Sequence, residues 1–355
     1  MKKRFYELDA IRGIAIMLVL LSHYTWAFDY HFNTLSEHKF HFFYGDFGVQ
    51  IFFIISGFVI FMSLQNITQI KQFIIARFSR LYPTYWICMF LTILIIFFFP
   101  VPTLGNYTLK EVILNTTMIQ GLLKTRHIDQ VYWSLGVELI FYFIMGLLFY
   151  FKQLKHIIIY CFFWLIICLT VYNFQLPFVK YFKVLLITEH APLFISGIMF
   201  HQIKYGKSNY FTHIIIIMSL MIYLINIKPD AIVPNPFEFK LIPRILVISA
   251  YLIFYYISYA KIKILENKIL LFIGKISYPL YLLHNVIGYS IIYRAKMIYN
   301  NQFFYVMLAT LISILLAYFV SSNFEIPISK KVKNKLTILF SYYRTKNKPE
   351  KIFVK

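Results

Sequence analysis

Apolar residues in this chain neither alternate with a period of two nor run in narrow stripes. They gather into blocks of about 20 residues, the length a helix needs to cross a bilayer core. Ten blocks fall near 10–28, 46–65, 81–99, 133–151, 157–173, 184–202, 211–227, 242–260, 276–293 and 303–322. The pattern predicts an all-α integral membrane protein, a bundle of about ten transmembrane helices. An even number of crossings puts both termini on one side. If that side is the cytoplasm, 23 of the Lys and Arg residues face inward and 11 outward, as the positive-inside rule requires. The longest outside segment, about 100–132, contains Pro100, Pro102 and Gly105 and a moderately apolar stretch from Leu109 to Leu123. That stretch is too short to span and is expected to lie at the interface or dip inward.

Composition sharpens this picture. Only 14% of the residues are charged and 60% are hydrophobic, whereas soluble domains carry roughly 25% charged residues, so an ordinary soluble domain is excluded. The net charge of +21 is not a nucleic-acid signature, because the basic residues lie mostly in short segments between apolar blocks. Topology accounts for them, and anionic lipid head groups or a phosphorylated cofactor are further partners of the same chemistry. Cys88, Cys161 and Cys168 all fall inside apolar blocks, with neither disulfide nor metal-ligand spacing. His31, His38 and His41 form a loop cluster without regular ligand spacing, and no metal is expected. The opening Met1-Lys2-Lys3-Arg4 mimics a signal peptide, but Arg12 and His23 interrupt the apolar run and no small-residue cleavage site follows, so it reads as a retained first span. Residues 1–328 are expected to form one membrane domain, followed by a basic cytoplasmic tail over 329–355 that is too short for a second catalytic domain.

Ionisable groups inside spans carry the functional information, because each costs at least about 2.5 kcal/mol at mid-bilayer and requires a partner or a role. Arg12 and His23 lie 11 positions apart, about 20° past three full helical turns and roughly 16 Å of rise, so they share one face of helix 1. That face suits a path from the cytoplasm to a buried reaction centre. The plainer alternative is an arginine snorkelling to head groups and a histidine bonded to a carbonyl. Arg77 and Arg80, three apart at the cytoplasmic entry of helix 3, can grip a phosphate together or act as topological anchors. Glu138 lies about one and a half turns into helix 4. If helices 1 and 4 pack together, it is placed to orient His23 as an acid holds a histidine base. Glu189, His190, Tyr278, Tyr281, His284 and Glu325 complete the set.

In this order, these residues resemble the acyltransferase-3 family of bacterial membrane O-acyltransferases over nearly the whole chain. Leu8-Asp9-Ala10-Ile11-Arg12-Gly13, with His23 after ten intervening residues, is similar to the family's arginine-to-histidine motif. Phe52-Phe53-Ile54-Ile55-Ser56-Gly57-Phe58, Arg77-Phe78-Ser79-Arg80-Leu81-Tyr82-Pro83 and Trp133-Ser134-Leu135 with Glu138 and Phe141-Tyr142 resemble its next three motifs. Ile276 to His284 and Phe324-Glu325-Ile326-Pro327 also look like family features. Departures are modest: Ile11 stands where leucine is commoner, and Gly136 and Leu139-Ile140 replace more polar positions.

The resemblance implies an enzyme that moves an acyl group, most readily acetyl, from cytoplasmic acyl-coenzyme A to a hydroxyl of an extracytoplasmic glycan or its lipid-linked precursor. The location it implies is the bacterial inner membrane. It also implies that Arg77 and Arg80 hold the phosphates of the donor and that His23 acts with Arg12 and Glu138. His23 is then either general base or transient acyl carrier, and Arg12 offsets charge on the donor or oxyanion. Ser56, Trp133, Ser134, Tyr281 and His284 are the implied substrate contacts. A secondary transporter or flippase using the same charges as a relay is the rival reading. The ordered motifs and the lack of an internal repeat in the sequence weigh against it.

Overall fold

The computed structural model describes residues 5–37, 40–102, 104–173, 179–227, 236–299 and 301–346. Lys2, Lys3, Arg4, His38 and the tail beyond 346 lie outside the described residues. Every apolar block carries a helix: α1 Tyr6–Ser22, α2 Phe47–Gln65, α3 Ile70–Phe98, α4 Trp133–Tyr150, α5 Ile157–Asn173, α6 Ala191–Lys204, α7 Tyr210–Asn226, α8 Pro236–Tyr259, α9 Lys268–Ile298 and α10 Gln302–Val320. A further helix, α11, covers Ile326–Lys346. Among the described residues, eight helical stretches are long and apolar enough to cross a membrane, and α7 is a shorter apolar helix.

Local sequence sets several helix starts. At α3, Gln69 and Gln72 close a reciprocal capping box, and Asn209 and Thr212 do the same at α7, satisfying backbone N–H groups that have no partner within the helix. Asn267 accepts from the N–H groups of Ile269 and Leu270 at the start of α9. Glu7 and Asp9 occupy the first turn of α1, where the helix dipole favours negative charge. Phe97, Phe143, Leu252, Phe303 and Leu311 are exposed on the outside of the bundle, the surface that hydrocarbon covers in a membrane.

Two results depart from the sequence pattern. The block at 184–202 is not one span: a short helix, Val179–Leu185, is followed by a break in which Ile187 adopts a left-handed φ of 43°, and α6 begins only at Ala191. All residues of α6 from Ala191 to Ile203 are buried, against α2, α5, α7 and α8. Protein rather than lipid surrounds this 14-residue helix, so its length need not match the bilayer. Secondly, helical structure runs on past the tenth apolar block, from α10 through a π-helical turn at Ser321–Glu325 into α11.

Small residues bring helices into backbone contact, the usual solution where lipid offers no hydrophobic drive to association. A Cβ on Gly13 would meet the Leu270 carbonyl oxygen at 2.5 Å, and one on Gly274 the Asp9 carbonyl oxygen at 1.8 Å. The inner ends of α1 and α9 are thus fixed against each other, and everything above them on the two helices is held in register.

Candidate active site

His23 opens a π-helical turn, His23–Ala27, between α1 and a further helical turn at Phe28–His31. Such single-turn widenings inside α-helices concentrate at functional sites. The neighbouring Tyr24, fully buried, donates its hydroxyl proton to the His284 carbonyl at 2.8 Å and lies 2.8 Å from the Ser313 hydroxyl. Its ring occupies the space a side chain at Gly288 would need, 2.3 Å from the Cβ position. This anchor ties the turn to α9 and α10 and sets His23 beside α9.

There His23 Nδ1 lies 3.0 Å from Asn285 Oδ1, and Asn285 Nδ2 donates to Asp129 Oδ1 at 2.7 Å. Asp129 is 1% exposed and also accepts from the backbone N–H groups of Val131 and Val286, at 3.2 and 3.1 Å. Burial pushes its carboxyl above the usual carboxylate range, while the bonds from Asn285, Val286 and Val131 and the proximity of His23 hold it down. The imidazole of His284 stands 4.9 Å from that of His23, centre to centre. His284 Nδ1 faces the Tyr281 carbonyl at 2.8 Å. A carbonyl only accepts, so Nδ1 carries the proton and the buried Nε2 is an acceptor without a hydrogen-bond partner.

Glu138 is not the partner of His23. Helix α4 packs on α2 and α3, and Glu138 Oε1 accepts from the hydroxyls of Ser56 and Tyr142, each at 2.5 Å. Glu138 lines a cavity of about 100 Å³ together with Arg12, Arg77, Arg80, Ser56, Ser134, Ser277, Tyr278 and Tyr281. Three guanidiniums from α1 and α3 thus share one chamber. Arg12 is held by Asp9 at 3.3 Å and Arg77 by the Ser63 hydroxyl at 3.2 Å, with Arg77 also over the rings of Phe73 and Tyr142. Arg77 Nε is buried without a hydrogen-bond partner. Arg77 and Arg80 are therefore chamber residues rather than entry anchors. Arg12, roughly 16 Å of helix below His23, belongs with them and not at an oxyanion beside the imidazole.

Tyr281 joins the two halves. It lines the arginine chamber, bonds the Ser134 hydroxyl at 2.8 Å and the Val131 carbonyl at 3.0 Å, and its ring lies 5.6 Å from that of His284. Of the expected substrate contacts, Ser56, Ser134 and Tyr281 line the chamber and His284 flanks His23, while Trp133 faces elsewhere. Trp133 borders a second cavity of about 470 Å³ with His127, Lys180, Lys183, Glu189 and His190, beside the break that precedes α6. Among the described residues no group of three or more His, Cys, Asp or Glu forms a metal-binding cluster. His41 is paired with Asp29 at 3.2 Å instead.

An arginine chamber from the first and third motifs and a histidine site from the first motif and the Ile276–His284 segment are thus brought together by one fold. The acyltransferase-3 family model, an acyltransferase domain, matches residues 5–322. The chain belongs to the acyltransferase-3 family. Neither a curated protein nor a solved structure matches the chain. As an acyltransferase-3 protein, it is a multi-pass membrane acyltransferase, and its motif residues divide between chemistry and packing. Ser56 holds Glu138, whereas the adjacent Gly57 admits the backbone of α6, since a Cβ there would meet the Phe194 carbonyl oxygen at 2.0 Å.

Asn285 and Asp129 escaped the sequence reading. Asn285 directly follows His284, and a neutral amide inside an apolar block gives little signal beside an ionisable neighbour. Asp129 lies in the long segment 100–132, where a single carboxylate gives no signal of its burial.

Proposed function

We propose that this protein transfers a short acyl group, most readily acetyl, from acyl-coenzyme A on the cytoplasmic side to a hydroxyl of an extracytoplasmic glycan or its lipid-linked precursor. The observation that carries the reading is the pairing of a three-arginine chamber with an oriented histidine, about 16 Å apart along one helix. A donor whose phosphates and reactive thioester lie at opposite ends of a long pantetheine arm fits such a separation. Arg12, Arg77 and Arg80 take the anionic end, with guanidiniums suited to bidentate phosphate contacts. Glu138 limits the repulsion among them when the chamber is empty.

At the other end, the acceptor hydroxyl gives its proton to His23 Nε2 as its oxygen attacks the thioester carbonyl carbon. The carbon–sulfur bond then breaks, the ester forms, and the imidazolium returns the proton to the departing thiolate. Direct transfer needs one tetrahedral intermediate and no acyl-histidine. Both termini are assigned to the cytoplasm on the distribution of Lys and Arg, and the protein to the bacterial inner membrane on its family.

Deleting the gene in its host and measuring ester-linked acyl groups on surface glycans by mass spectrometry tests the reading. Loss of one defined acyl mass, restored by the wild-type gene, is the expected result. A full set of acyl groups in the deletion strain moves the transport reading to the front. In vitro, Arg77→Ala with Arg80→Ala is expected to raise the KM for the acyl-coenzyme A donor by more than tenfold, since each lost charged hydrogen bond is worth about 1.5–3 kcal/mol. An unchanged donor KM removes the pair from the donor site.

A further inference from the structure

The expected orienting acid, Glu138, is occupied elsewhere, yet His23 is oriented. Asp129 Oδ1 accepts from Val131 N–H and Oδ2 from Val286 N–H, so the group facing Asn285 is an acceptor held by two backbone donors. The amide nitrogen of Asn285 therefore turns toward Asp129, and its oxygen toward His23. An amide oxygen only accepts, so His23 Nδ1 carries the proton and Nε2 the reactive lone pair. We propose that Asp129, acting through Asn285, is the positioning acid of this enzyme, fixing the ring orientation and tautomer of His23. The inference rests on the reading of His23 as the reacting base.

The surroundings of Asp129 fit a fixed reference point rather than a loop residue. Asn115, 0% exposed, donates to the Glu111 and Arg126 carbonyls and accepts from the Ile128 N–H at 3.1 Å. Tyr107 donates to the Ile128 carbonyl at 2.8 Å. From α3, the Tyr85 hydroxyl holds the Asn115 carbonyl at 2.7 Å. The residue preceding Asp129 is thus bonded at both its N–H and its carbonyl, and Tyr132, just beyond, reaches the Leu282 carbonyl at 3.3 Å. Satisfying every buried polar group along such a chain is what gives it a single geometry. The chain His23–Asn285–Asp129 places an amide between base and acid, so the acid steers the imidazole without touching it. A mutation at Asp129 should then lower the rate of the chemical step and leave donor binding alone.

The test uses the full-length protein in lipid nanodiscs, with acetyl-coenzyme A as donor and the host's envelope glycan as acceptor. Nitrogen-15 NMR of labelled histidine, with His23→Gln assigning the resonance, is expected to show Nδ1 protonated in the wild type and a shift toward the Nε2-protonated form in Asn285→Ala. Asp129→Ala and Asn285→Ala are expected to lower kcat by about 10²- to 10⁴-fold with donor KM unchanged. Asn285→Asp sets two carboxylates together and is expected to be equally impaired. The proposal is overturned if Asn285→Ala keeps the wild-type tautomer. It is also overturned if Asp129→Ala, folded to wild-type thermal stability, keeps the wild-type kcat. Equal transfer by wild type and His23→Ala would instead remove the reading of His23 as base, and the NMR result would still decide the orientation.

Discussion

His23→Ala is expected to abolish acyl transfer, a loss on the order of 10²- to 10⁴-fold or more, in a protein that still inserts and folds. The imidazole is partly buried and lies with Nδ1 3.0 Å from the Asn285 side chain, whereas the fixation of this turn comes from the next residue. Tyr24 keeps its bonds to the His284 carbonyl and the Ser313 hydroxyl in the variant. The structural penalty includes one unpaired amide oxygen on Asn285, about 1–3 kcal/mol. His23→Gln separates the two effects, because its amide can still meet Asn285 but has no basic nitrogen. Both variants are expected at wild-type levels in the membrane and without ester formation. Transfer at the wild-type rate by His23→Gln would mean that the position acts by hydrogen bonding alone and that another group takes the proton.

The division of labour within the site follows from what a sequence displays. Arg12, Arg77, Arg80 and Glu138 were visible because charge inside an apolar block is costly wherever the block folds. Their meeting in one chamber was not visible, because it depends on how α1, α3 and α4 are arranged about the axis. Glu138 could orient His23 only if α4 packed against α1. Instead α2 lies against both of them, and Ser56 on α2 takes the Glu138 carboxylate that His23 was expected to receive.

The shared face of Arg12 and His23 was legible from helical period alone. That the two residues serve different ends of the site was not, since period gives direction around an axis and nothing of the neighbours met along it. Likewise the block at 184–202 has the composition of a span. Its break at Ile187 precedes α6, whose burial against four other helices no local pattern announces.

The second large effect concerns packing. Gly57→Ala is expected to destabilise the protein markedly, although alanine is the better helix former by up to about 1 kcal/mol. Gly57 on α2 and Gly197 on α6 face each other. A Cβ on the first would lie 2.0 Å from the Phe194 carbonyl oxygen, and one on the second 2.0 Å from the Ile54 carbonyl oxygen. Both obstacles are backbone, so no side-chain rotation relieves them and the helices must separate. Overpacking of this kind costs about 1–3 kcal/mol or more. It also shifts Ser56 and with it the hydroxyl that holds Glu138 among the arginines. Gly146→Ala is the matched control, because its Cβ would meet nothing nearer than the Ile70 side chain at 3.6 Å, an ordinary contact. Heating the detergent-solubilised variants and measuring the monodisperse fraction should place Gly57→Ala well below wild type and Gly146→Ala at or above it. Equal stability of the two would mean that α2 and α6 do not approach this closely, and that the glycine of the second motif serves chemistry rather than contact.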